Sequence, residues 1–370
     1  MTIKKFLLGL LALLLCAATY LLLWPVPISA QAWVAPPAPG YVGPHAPNTR
    51  LAGLQMISLG AEEGPEHVAL GPDGWLYTAV ASGKLLRMKP DGSEQTVWAD
   101  TGGRVLGFDF DAQGRMIAAD AMRGLLAITA GGAVSVLTDK VGDSPILYAD
   151  AVVVAKSGEI FFSDASTRFG AKALGSTFEA SVLDILEQSA TGRVLAFSPA
   201  TGQTRIVAQG LSFANGMALS ADETQLFVAE TGRYRVWRIS TAATGIDVRQ
   251  PSPQALVLLD NLPGYPDNLM RGQNNRLWMG LVKPRNPKID GMAGKPWLRE
   301  LTLRLPRATW PVPKAYGHVV AFSEQGQILA DLQDPSGAYP EATAITETPE
   351  RLYVHSLHAK DLGWRPNDLR

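Results

Sequence analysis

Oxygen-bearing side chains recur at one phase of a repeating pattern in this chain. Glu66 follows Gly64 and Pro65, Asp150 follows Tyr148 and Ala149, Asn215 follows Phe213 and Ala214, and Asp267 and Asn268 follow Tyr265 and Pro266. Carboxylate and amide oxygens arriving from several directions suit Ca²⁺, which takes ~6 to 8 hard oxygen ligands in flexible geometry. Taken singly, Asn before Gly and Asp before Asn are ordinary turn formers. Turn formers belong at the Gly-rich positions between strands, whereas these residues stand where an apolar stretch begins, so their recurrence points to one shared metal site.

The elements that would position them are short strands. Beyond residue 60 the chain returns to an apolar strand, a Gly/Asp/Asn turn, a second apolar strand and a third. Copies begin near His67, Leu106, Ala151, Asn215, Asp267 and Ala342. The early copies repeat at on the order of 40 to 45 residues, the period of four-stranded propeller blades. Six copies predict an all-β, six-bladed β-propeller over residues 51–370, whose inner strands converge on a central channel. Each blade exposes apolar faces that only its neighbours can cover, so the ring is expected to close as one domain. A β-sandwich with similar hairpins would show no repeat of this length. The wider spacing of later copies falls in residues 166–189, expected as a short helix or lid, and in the Pro-rich residues 283–307.

Ahead of the repeats, Phe6 to Trp24 carries no charged side chain. About 19 residues at ~1.5 Å per residue nearly cross a bilayer's hydrocarbon core, so residues 1–24 read as one transmembrane helix. Lys4 and Lys5 precede it, and positive flanks stay cytoplasmic, which places the propeller outside the cytoplasm, in the periplasm if the source is bacterial. A cleaved signal peptide is the competing reading, because Ala30-Gln31-Ala32 offers a small-residue site. Residues 25–50, rich in Pro and Ala, are expected as an extended linker. Cys16 is the only cysteine of the chain, so the exported part has no disulfide and no thiol nucleophile. A net charge of −1 with no Lys/Arg run argues against a nucleic-acid partner.

The stretches Gly192-Arg-Val-Leu-Ala-Phe-Ser-Pro-Ala-Thr-Gly202, Gly210-Leu-Ser-Phe-Ala-Asn-Gly-Met-Ala-Leu-Ser220, Ala229-Glu-Thr231 and Asp260-Asn-Leu-Pro-Gly-Tyr-Pro-Asp-Asn268 resemble the strictosidine synthase-like proteins. The resemblance runs from Gly64 to Leu362 and extends to the gluconolactonases, the paraoxonases and the adipocyte plasma membrane-associated protein group. It implies a six-bladed propeller with Glu66, Asn215 and Asp267 as divalent-metal ligands and Asn268 as a further one. Three departures stand out. Many relatives carry Asn-Asp where this chain has Ala149-Asp150, so Asp150 would have to substitute. The paraoxonase histidine pair aligns with Leu106 and Asp120. The glutamate of true strictosidine synthases aligns with Thr343, which speaks against the alkaloid-forming condensation, although Glu341 lies two residues away.

The leading expectation is a calcium-dependent hydrolase of lactones or small esters acting on a small-molecule substrate. The ion would polarise the carbonyl, with Asp120 or Asp150 as the base that activates water. A non-catalytic binding propeller and an amine–aldehyde condensing enzyme are the alternatives. No Gly-x-Ser-x-Gly elbow occurs, so a serine esterase lacks its signature. Of the histidines, His45 is expected solvated in the linker and His67 turned away from Glu66. His355 and His358 flank the last inner strand, where packing is the expected state although either could reach the channel.

Overall fold

The computed structural model describes residues 3–369. Six sheets follow one another around a ring. The first runs His67–Leu70, Leu76–Ala79, Lys84–Met88 and Thr96–Asp100; the second Val105–Phe110, Met116–Asp120, Gly124–Ile128 and Val134–Thr138. The third comprises Ala149–Val154, Ile160–Asp164, Gly192–Ser198 and Gln203–Leu211, with Ile246–Asp247 added in parallel at its outer edge. The fourth holds Ala214–Leu219, Gln225–Glu230, Arg235–Ser240 and Ala255–Leu259; the fifth Gly264–Arg271, Leu277–Pro284, Gly317–Phe322 and Ile328–Asp334. The sixth takes three strands from the C-terminal end, Ala342–Glu347, Arg351–Ser356 and Asp361–Pro366, and its outermost strand, Gln55–Ser58, from the other end of the domain. Gln55 pairs with Trp364 and Ser58 with Asp361, so the ring is closed by its own two ends.

The core lies between blades rather than within them. Ile117 and Leu125 of the second blade pack on Phe162 and Leu195 of the third, and Phe227 of the fourth packs with Leu269 and Met279 of the fifth. All of these are almost fully buried, and each contributes roughly 1.5–3 kcal/mol relative to exposure. Close approach of inner strands needs small residues. A Cβ on Gly216 would land on the backbone of Asn268 and Leu269, which leaves glycine as the residue that lets the fourth blade meet the fifth.

An acid closes each of three successive blades. Asp120, Asp164 and Glu230 end the second strands of blades two, three and four, all buried. Asp120 accepts from the Arg104 and Met122 amides at 3.1 and 2.9 Å and from Thr101 Oγ1 at 2.8 Å. Asp164 accepts from the Tyr148 amide and Arg193 Nε, both at 2.9 Å, and Glu230 from the Ser212 amide at 2.8 Å. These clasps hold the segment leading into the inner strand against the end of its neighbour.

Both wide spacings of the repeat are helical. Residues Ala171–Leu174 and Thr177–Glu187 form one part of a lid, with Ser176 capping the second helix by accepting from the Glu179 amide. Pro287–Gly291 and Pro296–Arg304 form the other, each starting with proline in its first turn. Arg299 Nη1 donates to the Leu186 carbonyl at 2.8 Å, and Arg307 pairs with Glu179, so the two parts interlock.

Residues 25–50 are not the free tether expected of them. Apart from one turn of 3₁₀ helix at Gly43–His45 they are irregular, yet they lie strapped along the domain. Ser29 N donates to Glu187 Oε2 and Gln31 N to the Glu187 carbonyl, both at 2.7 Å, while Arg285 Nη2 reaches the Pro36 carbonyl at 2.6 Å. Ile28 is buried beside Leu183, Leu186 and Phe213. His45 is likewise held, its Nδ1 2.7 Å from Asp331 Oδ2, with His318 Nε2 at 2.8 Å from the same oxygen. Buried carboxylates and amides inside the domain give this segment partners that water would otherwise supply. Ile3–Leu23 forms one helix with no buried residue.

Candidate functional site

The inner strands of blades three to six share one irregularity: the register slips between Ala149 and Val152, between Ala214 and Met217, between Pro266 and Leu269, and between Ala342 and Ile345. A bulge frees a residue from the ladder and re-aims its side chain. The freed positions include Asp150, Asn215, Asp267, Asn268 and Thr343. The local deformation recurs with the repeat, which is why polar residues at one phase of it meet at one end of the channel.

Glu66, Asp150, Asn215, Asp267 and Asn268 are all at most 6% exposed. Asn268 Nδ2 lies 3.2 Å from the Glu66 carbonyl and 3.3 Å from Glu66 Oε1. Thr343 Oγ1 donates to the same carbonyl at 3.1 Å, which fixes the Glu66 backbone. Arg104 Nη2 is 3.5 Å from Glu66 Oε2. Glu66 Oε2 and Asn215 Oδ1 are buried without a hydrogen-bond partner among the described residues.

The carboxylates feel one another. Burial, then the charges of Asp267, Asp150 and Glu341, push Glu66 well above the usual carboxylate range, with Arg104 opposing. Burial and Asp267 raise Asp150 in the same way. Asp267 is pushed up to about 7 by burial and by Glu341, with the Asn215 amide acting in the other direction. The Tyr148 hydroxyl is raised by burial and by Asp150, Glu66 and Asp267. Three buried carboxylates facing one guanidinium are under-compensated, and such a cluster takes up protons or a cation. Its oxygen-only donor set and its two orphaned oxygens fit a hard divalent ion of the calcium kind.

Above this floor opens a cavity of about 750 Å³. Glu66, Arg104, Tyr148, Asp150, Asn215 and Asp267 form its polar base, and Phe178, Val182, Ile185, Trp310 and Val312 of the lid its apolar walls. At the rim sits Glu341, in the left-handed region at φ 49°, which a non-glycine residue adopts at a cost. Its carboxylate pairs with Lys283 Nζ and with His358 Nδ1. Burial alone would raise Glu341, and His358 and Lys283 outweigh it, holding the acid down at about 2. His358, half exposed, lines the cavity opposite the lid's Phe178, with ring centroids 6.3 Å apart.

The structure therefore gathers Glu66, Asp150, Asn215 and Asp267, with Asn268 bonded to Glu66 from behind. Asp120 does not join them. Its carboxylate is committed to three donors, it does not line the cavity, and its recurrence as Asp164 and Glu230 marks it as a clasp, which corrects its reading as a base. His67 packs against Phe108 in a tilted pair with ring centroids 4.6 Å apart, and His355 Nε2 bonds Thr346 Oγ1 at 2.7 Å, both buried. Arg104, Tyr148 and Lys283 carried no sequence signal as site residues.

A six-bladed propeller with an acid-lined pocket on its axis and a helical lid over it defines the class of this molecule. Family models for the strictosidine synthase-like N-terminal region and for strictosidine synthase match residues 43–88 and 150–244. Strictosidine synthase-like protein 4 of Arabidopsis thaliana is 33% identical over 63% of this chain and 60% of its own length. Strictosidine synthase-like protein 6 of the same plant is 30% identical over 86% of this chain and 82% of its own. The adipocyte plasma membrane-associated protein of Salmo salar is 28% identical over 86% and 79%. Among solved structures, a gluconolactonase from Xanthomonas campestris superposes with a TM-score of 0.58 at 18% identity, covering 91% of this chain and 99% of that one. The chain belongs to the strictosidine synthase-like family.

Proposed function

We propose that this protein is a divalent-metal-dependent hydrolase of lactones or small esters, anchored to a membrane by its N-terminal helix. The observation that carries the reading is the cluster of Glu66, Asp150 and Asp267 with the unpartnered Asn215 Oδ1, buried at the floor of an apolar cavity. Glu66, Asn215 and Asp267 would hold Ca²⁺, Asp150 would take the place of the family's Asn-Asp pair, and Asn268, whose Nδ2 steadies Glu66, would add a further amide oxygen. An ion bound there would polarise the ester carbonyl and stabilise the charge developing on its oxygen.

The chain's own groups supply the rest. Glu341 stays ionised at neutral pH, so it accepts from His358 and fixes the proton on Nδ1. Nε2 of a neutral His358 would then be left as the acceptor that takes a proton from water. The lid's apolar walls exclude bulk water and receive the non-reacting part of the substrate. The Ile3–Leu23 helix is apolar and long enough to span a bilayer. Burial of Ile28 in the domain supports retention of the segment ahead of Ala30-Gln31-Ala32, since processing there would strip a core residue.

The test is hydrolysis of a lactone and aryl-ester panel by the full chain, with and without chelator. Chelator-sensitive turnover that calcium restores supports the reading. Absence of turnover on every member, with metal bound, would shift it to a ligand-binding propeller. Loss of turnover in Asp150→Asn with calcium binding intact would move the base from His358 to Asp150.

A further inference from the structure

The lid is joined to the end of the membrane helix. Arg304 Nε, in the last turn of the Pro296–Arg304 helix, donates to the Trp24 carbonyl at 2.7 Å, one residue after the apolar helix ends. The strap at Ser29 and Gln31 then ties the other lid helix through Glu187. The cavity mouth is therefore held beside the point where the chain leaves the apolar helix.

The exposed surface of the lid has an uncommon composition. Leu174, Phe178, Trp297, Leu305 and Val312 are 38 to 63% exposed. Between them, the exposed charged residues outside an ion pair are all basic: Lys172, Lys288, Lys295 and Lys314. The acids of the same segments are buried or half-buried, with Glu179 and Asp290 paired to arginines. This asymmetry stands out in a chain of net charge −1. Apolar side chains interleaved with Lys and Arg are what a surface lying in the headgroup layer of an anionic bilayer presents. Trp24 and Tyr20, both exposed, are the aromatic residues that favour that same depth.

We propose that the lid docks into the interfacial layer of an anionic membrane, so that the cavity opens onto lipid and its substrate is an amphiphile, an ester or lactone bearing a long apolar chain, drawn from the bilayer. The inference rests on the anchored hydrolase reading above. Leu174 and Trp297 are the reporters of choice because neither lines the cavity. Gln113, exposed on a hairpin between a first and second strand, lies at the opposite end of the ring from the ends of second strands and the lid, and serves as control.

The experiment uses the full chain in a Cys16→Ser background, labelled at Leu174→Cys, Trp297→Cys or Gln113→Cys with an environment-sensitive fluorophore. Each is reconstituted into vesicles of phosphatidylcholine with or without phosphatidylglycerol, and intact mass establishes that the anchor is present. Blue-shifted emission at both lid positions, with quenching by spin-labelled lipid several-fold above that at position 113 and stronger with phosphatidylglycerol, is the expected result. Lid labels as water-exposed as position 113 would overturn the docking. The readout needs no turnover, so its failure is separate from failure of the hydrolase reading. For the substrate class, Trp297→Glu should lower turnover of a long-chain ester dispersed in vesicles at least fivefold while leaving a water-soluble short-chain ester unchanged, and equal effects on both would overturn the lipid route.

Discussion

The side-chain amide of Asn268 bonds Glu66, placing Nδ2 3.3 Å from a carboxylate oxygen 202 residues away in the chain. That contact joins the first blade to the fifth and depends on Gly216, whose missing Cβ leaves room for the Asn268 backbone. Gly216→Ala should displace Asn268, destabilise the fold by about 1–3 kcal/mol as overpacking does, and weaken calcium binding. Denaturant melts with and without calcium measure both effects, and unchanged calcium stabilisation would mean that Asn268 is idle in the site.

Glu341 and His358 act as a pair in this account. His358→Ala should lower kcat on the order of 10²-fold or more, the range of a lost general base, while the calcium-induced rise in Tm stays. Glu341→Gln removes the acceptor that fixes the His358 tautomer and should lower kcat less, with little change in KM. A His358→Ala enzyme of full activity would remove this residue from the chemistry.

Asp120 should behave as structure. Asp120→Asn leaves buried amide donors short of an acceptor and should cost about 1–3 kcal/mol of stability. The folded fraction should retain kcat. A folded, stable Asp120→Asn protein without activity would restore its reading as a base.

Buried Asp184 gives the lid a dependence on pH. Burial, against a hydrogen bond from Ser166 and with the charges of Glu187 and Asp164, pushes its carboxyl up to about 7. An acid whose folded pKa is raised binds its proton more tightly when folded, so its contribution is present at low pH and is lost as pH rises from about 4 toward 7. Asp184→Asn should therefore raise Tm at pH 8 by several degrees and by clearly less at pH 5. Equal shifts at both pH values would contradict this.

The repeat was legible because propeller blades write their strands and turns at a fixed period, and the residues that meet on the axis share one phase of it. That phase found Glu66, Asp150, Asn215, Asp267 and Asn268, and the bulged inner strands free all of these but Glu66 from the ladder. The same phase logic, carried one strand further, would have exposed Asp120, Asp164 and Glu230 as a repeated clasp. The strap was illegible because irregular Pro-rich backbone has no periodicity; its docking is decided by distant acceptors such as Glu187. His358 was ambiguous since its role depends on Glu341, whose left-handed backbone turns the carboxylate toward it.

Calorimetric titration of calcium into the metal-stripped full chain, beside the Asn215→Ala variant, decides whether Glu66, Asp150, Asn215 and Asp267 form a calcium site. Asn215 contributes a neutral amide, so its removal leaves every carboxylate in place. The expected result is one ion per chain for the unaltered protein, stabilising the fold by about 2.7 kcal/mol once calcium reaches a hundred times Kd, and affinity at least tenfold weaker in Asn215→Ala with folding still cooperative. No binding heat, or the same affinity in both proteins, would contradict it.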